Sequence, residues 1–355
     1  MKSIEDYVNL EAQFYEDVLT NKDQLFANCF NEINLNEIDN IVIYATGSSS
    51  NAAFSARPFM SKILKMPVYV EEPSIAANYG LYANKHTLYL AISQGGHSYS
   101  TIHMVKELES HEQKVFVLTS DLQSPIATTS KNVISMGMPV EEMPYVSAGY
   151  SVTILDLMLI ALTISQKRQT ITIGQVEACH QKIQEITLAI PDVIRKSTNW
   201  VNKVIDQYTE ANRIWFIGYG AAYGVAREGE TKITETVRIT SLGKELEEYM
   251  HGPYLGLHET DRIIFVEPHG KLEHRADLLK QFLQEHVSHI STIFANDGST
   301  KIDDLALKID TDELLASLFL TIPVHLLAYR LSQRKKNDLE VSTYPDFDKI
   351  TGSKI

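Results

Sequence analysis

Three side chains able to move protons lie close together in the second half of the chain: Glu228, Glu235 and His251. The stretch from Ala221, AAYGVAREGETKITETV, has the pattern of a helix. Glu228 and Glu235 are about two turns apart on it and share a face. Glu228 and Lys232 stand at i,i+4 and can pair. Then comes SLGKELEEYMHGP, where His251 is followed by Gly252 and Pro253. Gly-Pro continues a helix poorly, so the imidazole is expected at a loop edge. Histidine exchanges protons readily near neutral pH, and a carboxylate nearby is a candidate general base. Spacing alone fits a plainer arrangement equally well. Glu235 then lies on a solvated face beside Arg238, and His251 is one of 12 histidines without a special role. His97, His269 and His274 belong with that plainer reading.

A second kind of chemistry is written in the first half. TGSSSNAA follows one strand-like run and SQGGHSYST (Ser93 to Thr101) follows another. Both loops are rich in Gly, Ser and Thr, and both lead into a helical pattern. Small residues let backbone N–H groups approach an anion, hydroxyls donate further, and a helix N-terminus adds partial positive charge. Either loop alone could be no more than turn and cap chemistry. Two of them at neighbouring strand ends point to an anion site. No GK[ST] pattern is present, which disfavours a nucleoside triphosphate.

The elements that must position these groups form a repeat. IVIYATGSSSNAAFSARPFM (Ile41 to Met60) and IWFIGYGAAYGVAREGETKI (Ile214 to Ile233) each read as strand, glycine turn and helix, with Gly47 and Gly220 in equivalent places. PVYVEE, TLYLAIS and KVFVLTS follow in the first half; TVRITS, RIIFVEP and SHISTIF follow in the second. Short apolar runs alternating with helical stretches such as STIHMVKELESHEQ and HRADLLKQFLQEHV predict parallel strands with crossover helices. The fold class is therefore α/β, with two tandem doubly wound domains. The join is placed near Lys196 to Asn202, giving domains 1–195 and 196–355. Ligands of such sheets bind beyond the carboxyl ends of the strands, at a switch point. The second half has no hydroxyl cluster at its GYGAAYG or VEPHGK turns, so the first half is expected to bind phosphate and the second to supply proton transfer.

Composition bounds the rest. The chain has 355 residues, 44% apolar and 22% charged, as in a globular protein of more than one domain. A net charge of −13 disfavours nucleic acid as partner. Cys29 and Cys179 stand apart, with no metal-site or disulfide spacing. The N-terminus carries acidic residues and no apolar core, so no signal peptide is expected. Ser151 to Ser165 is apolar but too short to span a bilayer and contains Asp156, so a buried helix is expected. These readings place the protein in the cytoplasm, away from membranes.

At these residues the chain resembles the sugar isomerase (SIS) superfamily over nearly its whole length. The likeness is to the isomerase half of glucosamine-6-phosphate synthase and to the fructoselysine- and glucoselysine-6-phosphate deglycases. The stretch from Gly218 to Pro253 matches the synthase pattern of GxG, a long helix ending in a catalytic Glu, then an HGP turn, without a gap. The resemblance makes Glu235 the catalytic glutamate and His251 the ring-opening histidine. TGSSSN and SQGGHSYS match the superfamily's phosphate loops, implying phosphate-binding roles for Ser48, Ser49, Ser93, Gln94 and Ser98. YVSAGYS, around Ser147, matches a segment that contacts the sugar. There are departures: Gly95 stands where a phosphate-binding serine is usual, and His97 where a glutamate is usual. Lys349 in the tail is one residue out of register with the family's catalytic lysine. The synthase's glutaminase domain opens with a cysteine after the initiator methionine, whereas this sequence begins Met1-Lys2-Ser3. Amine removal is therefore expected rather than amine addition.

The resemblance implies a phosphorylated ketosamine as substrate, His251 assisting ring opening and Glu235 moving a proton between C1 and C2. Each step is proton transfer or water addition, so no metal or redox cofactor is expected. A homodimer or higher oligomer with shared active sites is implied, since relatives take this histidine from a neighbouring subunit. Aldose–ketose isomerisation or deamination of an amino sugar phosphate would use the same groups. A non-catalytic sugar-phosphate sensor is the remaining alternative.

Overall fold

The computed structural model describes residues 1–298 and 301–355. It contains two five-stranded, wholly parallel sheets. The first comprises β1 (Asn40–Ala45), β2 (Val68–Glu71), β3 (Thr87–Ile92), β4 (Val115–Thr119) and β5 (Asn132–Ser135), in the order β2-β1-β3-β4-β5. The second comprises β6 (Arg213–Gly218), β7 (Thr240–Glu245), β8 (Arg262–Glu267), β9 (His289–Phe294) and β10 (Leu305–Ala306), in the order β10-β9-β8-β6-β7. Read from the other edge, the second order repeats the first. The repeat seen in the sequence is thus a repeat of topology.

The physical reason lies in the strands. β3 and β4 are buried at every position, as central strands covered on both faces must be. Their runs, TLYLAI and VFVLT, are continuously apolar or β-branched rather than alternating. The edge strand β2 is half exposed and alternates. Gly47 and Gly220 both have φ of +56°. In each half the chain leaves the first strand through this left-handed turn, which a side chain would strain.

By compactness the chain divides into two units. One contains residues 13–142, 152–184 and 341–355, with the first sheet; the other contains residues 1–12, 143–151 and 185–340, with the second. This differs from a single cut at 195/196. The helix Ile173–Thr209 runs unbroken through the expected join, with Pro191 inside it. The tail packs with the first sheet rather than the second, while the N-terminal residues and 143–151 go with the second. The apolar stretch from Ser151 lies within the buried helix Ala148–Arg168.

One element departs from expectation. TVRITS is not a strand from its first residue. Ile233–Val237 is a π-helical turn that extends the helix Ala222–Lys232, and β7 begins only at Thr240. The β-branched residues suit a strand, but packing on the helix Ile322–Arg334 and the cap described next hold them helical.

Candidate active site

In the unit of the second sheet, Glu235 sits on that π-helical turn. Insertions of this kind often mark functional positions. Two anchors hold the turn. Thr236 donates its hydroxyl to the carbonyl of Lys232 at 2.7 Å. The Asn337 amide donates to the carbonyls of Thr236 and Val237 at 2.9 and 3.0 Å, answering acceptors that the helix end leaves open. Arg238 closes the turn with φ of +62° and turns away to the carbonyl of Asp338. It does not partner Glu235.

The partner of Glu235 is Lys232, whose ammonium donates to its carboxylate at 2.7 Å. Lys232 is 1% exposed and Glu235 40%, so one end of the pair is buried and the other open to solvent. Lys232 also lies 3.6 Å from Glu228, which is fully buried, and Glu228 lies 3.4 Å from Nε2 of His325. The i,i+4 pair expected from the sequence forms, but it is one link of a longer chain. Spacing could have shown that Lys232 reaches Glu235 at i,i+3. His325 gave no such signal, because its contact spans two distant segments.

His251 follows the short helix Leu246–Met250 at an exposed edge, as the Gly-Pro that follows it predicted. Glu245 caps that helix by accepting from the backbone N–H groups of Glu247 and Glu248. Nδ1 of His251 is 2.7 Å from the carbonyl of Glu247. A carbonyl can only accept, so the proton sits on Nδ1 and Nε2 is left as the acceptor. Arg275 fixes Glu247 through two bonds of 2.7 and 3.0 Å and holds its carboxyl below the usual range. Among the described residues no hydrogen bond or ion pair joins His251 to Glu235. Ser147 is fully buried in the same unit, immediately before the helix Ala148–Arg168.

The unit of the first sheet carries the hydroxyl loops. β1 and β3 pair in register from Asn40↔Thr87 to Ala45↔Ile92, so they end level and release both loops side by side at the switch point. Ser48 and Ser49 lie in the first turn of the helix Gly47–Leu64, and Ser98 precedes the helix Tyr99–Ser110. The Ser98 hydroxyl accepts from Thr101 at 3.0 Å and meets Thr46 at 3.3 Å, tying the loops together. Ser93 and Gln94 are buried. The Gln94 carbonyl accepts from the Ser120 N–H and the Thr119 hydroxyl, which secures the loop to β4. The two helix N-termini and the hydroxyls give this corner the character of an anion site.

The tail reaches this same corner. Ser98 and Lys354 form an antiparallel bridge, Tyr99 N–H donates to the carbonyl of Ser353 at 3.2 Å, and Nδ1 of His97 is 2.5 Å from the carbonyl of Ile355. The tail lysine bound to the loop is thus Lys354. Lys349 is exposed on the short helix Phe347–Thr351 and makes no hydrogen bond or ion pair among the described residues. His97, in place of a glutamate, holds the tail.

Comparison with known proteins bears on the family and the fold. The model of the SIS domain matches residues 34–166 and 207–332. The glutamine–fructose-6-phosphate aminotransferase (isomerizing) of Acinetobacter baylyi is 23% identical over 332 residues, covering 88% of this chain and 52% of that protein. The chain spans about half the length of the curated relatives it matches. The C-terminal domain of glucosamine-fructose-6-phosphate aminotransferase from Francisella tularensis superposes with a TM-score of 0.85 at 19% identity, over 95% of this chain and 98% of that one. Glucosamine-6-phosphate deaminase from Thermotoga maritima gives 0.75 at 18% identity, over 95% and 94%. With two matched segments, one on each parallel sheet, the chain belongs to the SIS domain family.

Proposed function

We propose that the protein is a deglycase that cleaves a 6-phosphorylated ketosamine, of the fructoselysine- or glucoselysine-6-phosphate type, to a free amine and a hexose 6-phosphate. The hydroxyls of Ser48, Ser49 and Ser98 and the loop N–H groups around Ser93 and Gln94 hold the phosphate. Nε2 of His251 accepts the anomeric hydroxyl proton as the ring C–O bond breaks and hands it to the ring oxygen. Glu235 removes the C1 proton to give an enolamine and returns it at C2, leaving an imine at C1. Water adds to that imine and the amine departs. The observation that carries this reading is the carboxylate of Glu235, open to solvent on one side and held by a buried ammonium on the other. Such a pairing holds and aims a carboxylate, as a general base requires.

A homodimer in the cytoplasm completes the reading. The exposure of His251, with no bond to Glu235, suits an imidazole lent to a neighbouring subunit. A second reading, deamination of an amino sugar phosphate, is favoured by the likeness to the Thermotoga maritima deaminase fold. One assay separates the two: release of free amine from a panel of 6-phosphorylated ketosamines, run beside ammonia release from glucosamine 6-phosphate. Turnover confined to the ketosamines supports the deglycase; turnover confined to glucosamine 6-phosphate replaces it with the deaminase.

A further inference from the structure

His325 lies in the helix Ile322–Arg334 and is fully buried, as are the residues beside it in the chain, Val324, Leu326 and Leu327. An imidazole in such a place is costly unless its polar atoms are answered, and a leucine would fill the space without that cost. Only one of its ring nitrogens is answered. Nε2 is 3.4 Å from Oε1 of Glu228, while Nδ1 has no hydrogen-bond partner among the described residues. The ring stands edge-on to Tyr150, with centroids 5.8 Å apart and planes at 82°. These surroundings fix the tautomer. A proton on Nδ1 would be buried without an acceptor, and the Nε2 lone pair would then face a carboxylate. The proton belongs on Nε2, pointing at Glu228.

Glu228 passes the effect onward. Its Oε1 receives His325 on one side and lies 3.6 Å from the Lys232 ammonium on the other. Lys232 is shared between Glu228 and Glu235, and it is closer to Glu235, at 2.7 Å. A second tie between the same elements runs from the Thr236 hydroxyl to the carbonyl of Ala328, at 3.5 Å. The groups facing His325 along this chain include Glu228 and Lys232 from the helix Ala222–Lys232, Glu235 from the π-helical turn, and the Tyr150 ring from the segment 143–151.

We propose that His325 is a positioning residue for Glu235, satisfying Glu228 so that the shared ammonium of Lys232 stays on the base. The proposal rests on the reading of Glu235 as the general base. Without the Nε2 donor, the buried Glu228 carboxylate must draw harder on Lys232, because an under-satisfied buried carboxylate is expensive. The ammonium then moves away from Glu235, which loses part of its charge-assisted bond and its fixed orientation.

The test compares three variants on whichever of fructoselysine 6-phosphate, glucoselysine 6-phosphate or glucosamine 6-phosphate the wild type turns over. His325→Gln keeps an N–H donor near the place of Nε2. His325→Leu fills the volume without a donor, and His325→Asn keeps an amide too short to reach. For Leu and Asn, kcat should fall about 10- to 100-fold, the scale of a base displaced by a fraction of an ångström to one ångström. KM should stay within about twofold, since no substrate contact is removed. His325→Gln should keep the wild-type kcat. If His325→Leu fails to fold, His325→Asn against His325→Gln makes the same comparison. Wild-type kcat in the Leu or Asn variant, or equal losses in Gln and Asn, would overturn the proposal. Glu235→Gln is run alongside. If it is inert while His325→Leu behaves as wild type, only the positioning role fails; if it is active, the role of Glu235 fails and takes this proposal with it.

Discussion

Replacing Lys232 with methionine tests the buried ion chain through stability as well as turnover. Lys232 and Glu228 are 1% and 0% exposed, and the ammonium sits 3.6 Å from one carboxylate and 2.7 Å from another. Methionine keeps most of the stem's volume and removes the charge. Glu228 is then a buried carboxylate without its cation. Breaking one partner of a buried pair costs about 3–5 kcal/mol. For a domain of this size about 1 kcal/mol moves the melting temperature by some 2–4 °C, so a drop of roughly 6–20 °C is expected. The cost comes from the buried carboxylate that has lost this ammonium, so neutralising it should remove most of it. Lys232→Met with Glu228→Gln should recover more than half of the lost melting temperature. Turnover should not recover, because Glu235 still lacks its ammonium. The assay is thermal unfolding followed by circular dichroism, beside kcat for the same preparations. A Lys232→Met melt within about 2 °C of wild type, or a double variant no more stable than the single one, would refute the reasoning.

Other consequences follow from the same geometry. Burial lifts the Asp156 carboxyl well above its usual range, and neither oxygen has a hydrogen-bond partner among the described residues. The fold prefers it protonated, whereas the unfolded chain ionises it near pH 4. Its contribution is complete below that pH and is lost as pH rises through the folded-state value. Asp156→Asn should therefore raise the urea midpoint at pH 7, with a gain that shrinks towards pH 4. Asn337→Ala frees the carbonyls of Thr236 and Val237 and should cost about 1–2 kcal/mol, with a fall in kcat as the turn bearing Glu235 loosens. Gly96 has φ of +74°, and a Cβ there would lie 2.0 Å from the Ser124 hydroxyl and 2.3 Å from its Cβ. Gly96→Ala should both destabilise the first unit and weaken sugar-phosphate binding, measured by calorimetry. Gly47→Ala meets open space and should cost only the left-handed strain, about 1–2 kcal/mol.

Much of the fold was legible because the signals were local. Continuous apolar runs announced central parallel strands, and paired glycine turns announced the repeat. Both hydroxyl loops were placed by their strands, and His251 was placed by Gly252 and Pro253. What escaped the sequence was set by contacts between distant segments. Ile233–Val237 carries β-branched residues that suit a strand, yet the Asn337 cap holds it as a π-helical turn. Arg238 looked like the neighbour of Glu235, but its left-handed backbone carries it away and Lys232 takes that place. His325 sits in an apolar run and gains meaning only through Glu228. In the tail, Lys349 stood one residue out of register with the family's lysine, and the residue that bridges to Ser98 is Lys354, a contact between distant segments.

The central claim is that Glu235 moves the proton between C1 and C2 of a phosphorylated sugar, and single turnover in deuterium oxide tests it most directly. Glu235 is open to solvent and exchanges the captured proton before returning it, so wild-type protein should leave deuterium at C2 of the hexose 6-phosphate formed from fructoselysine 6-phosphate. Glu235→Gln should bind the same substrate, melt within about 2 °C of wild type and lose turnover by about two orders of magnitude or more. Label at C2 formed by Glu235→Gln at the wild-type rate would contradict the account.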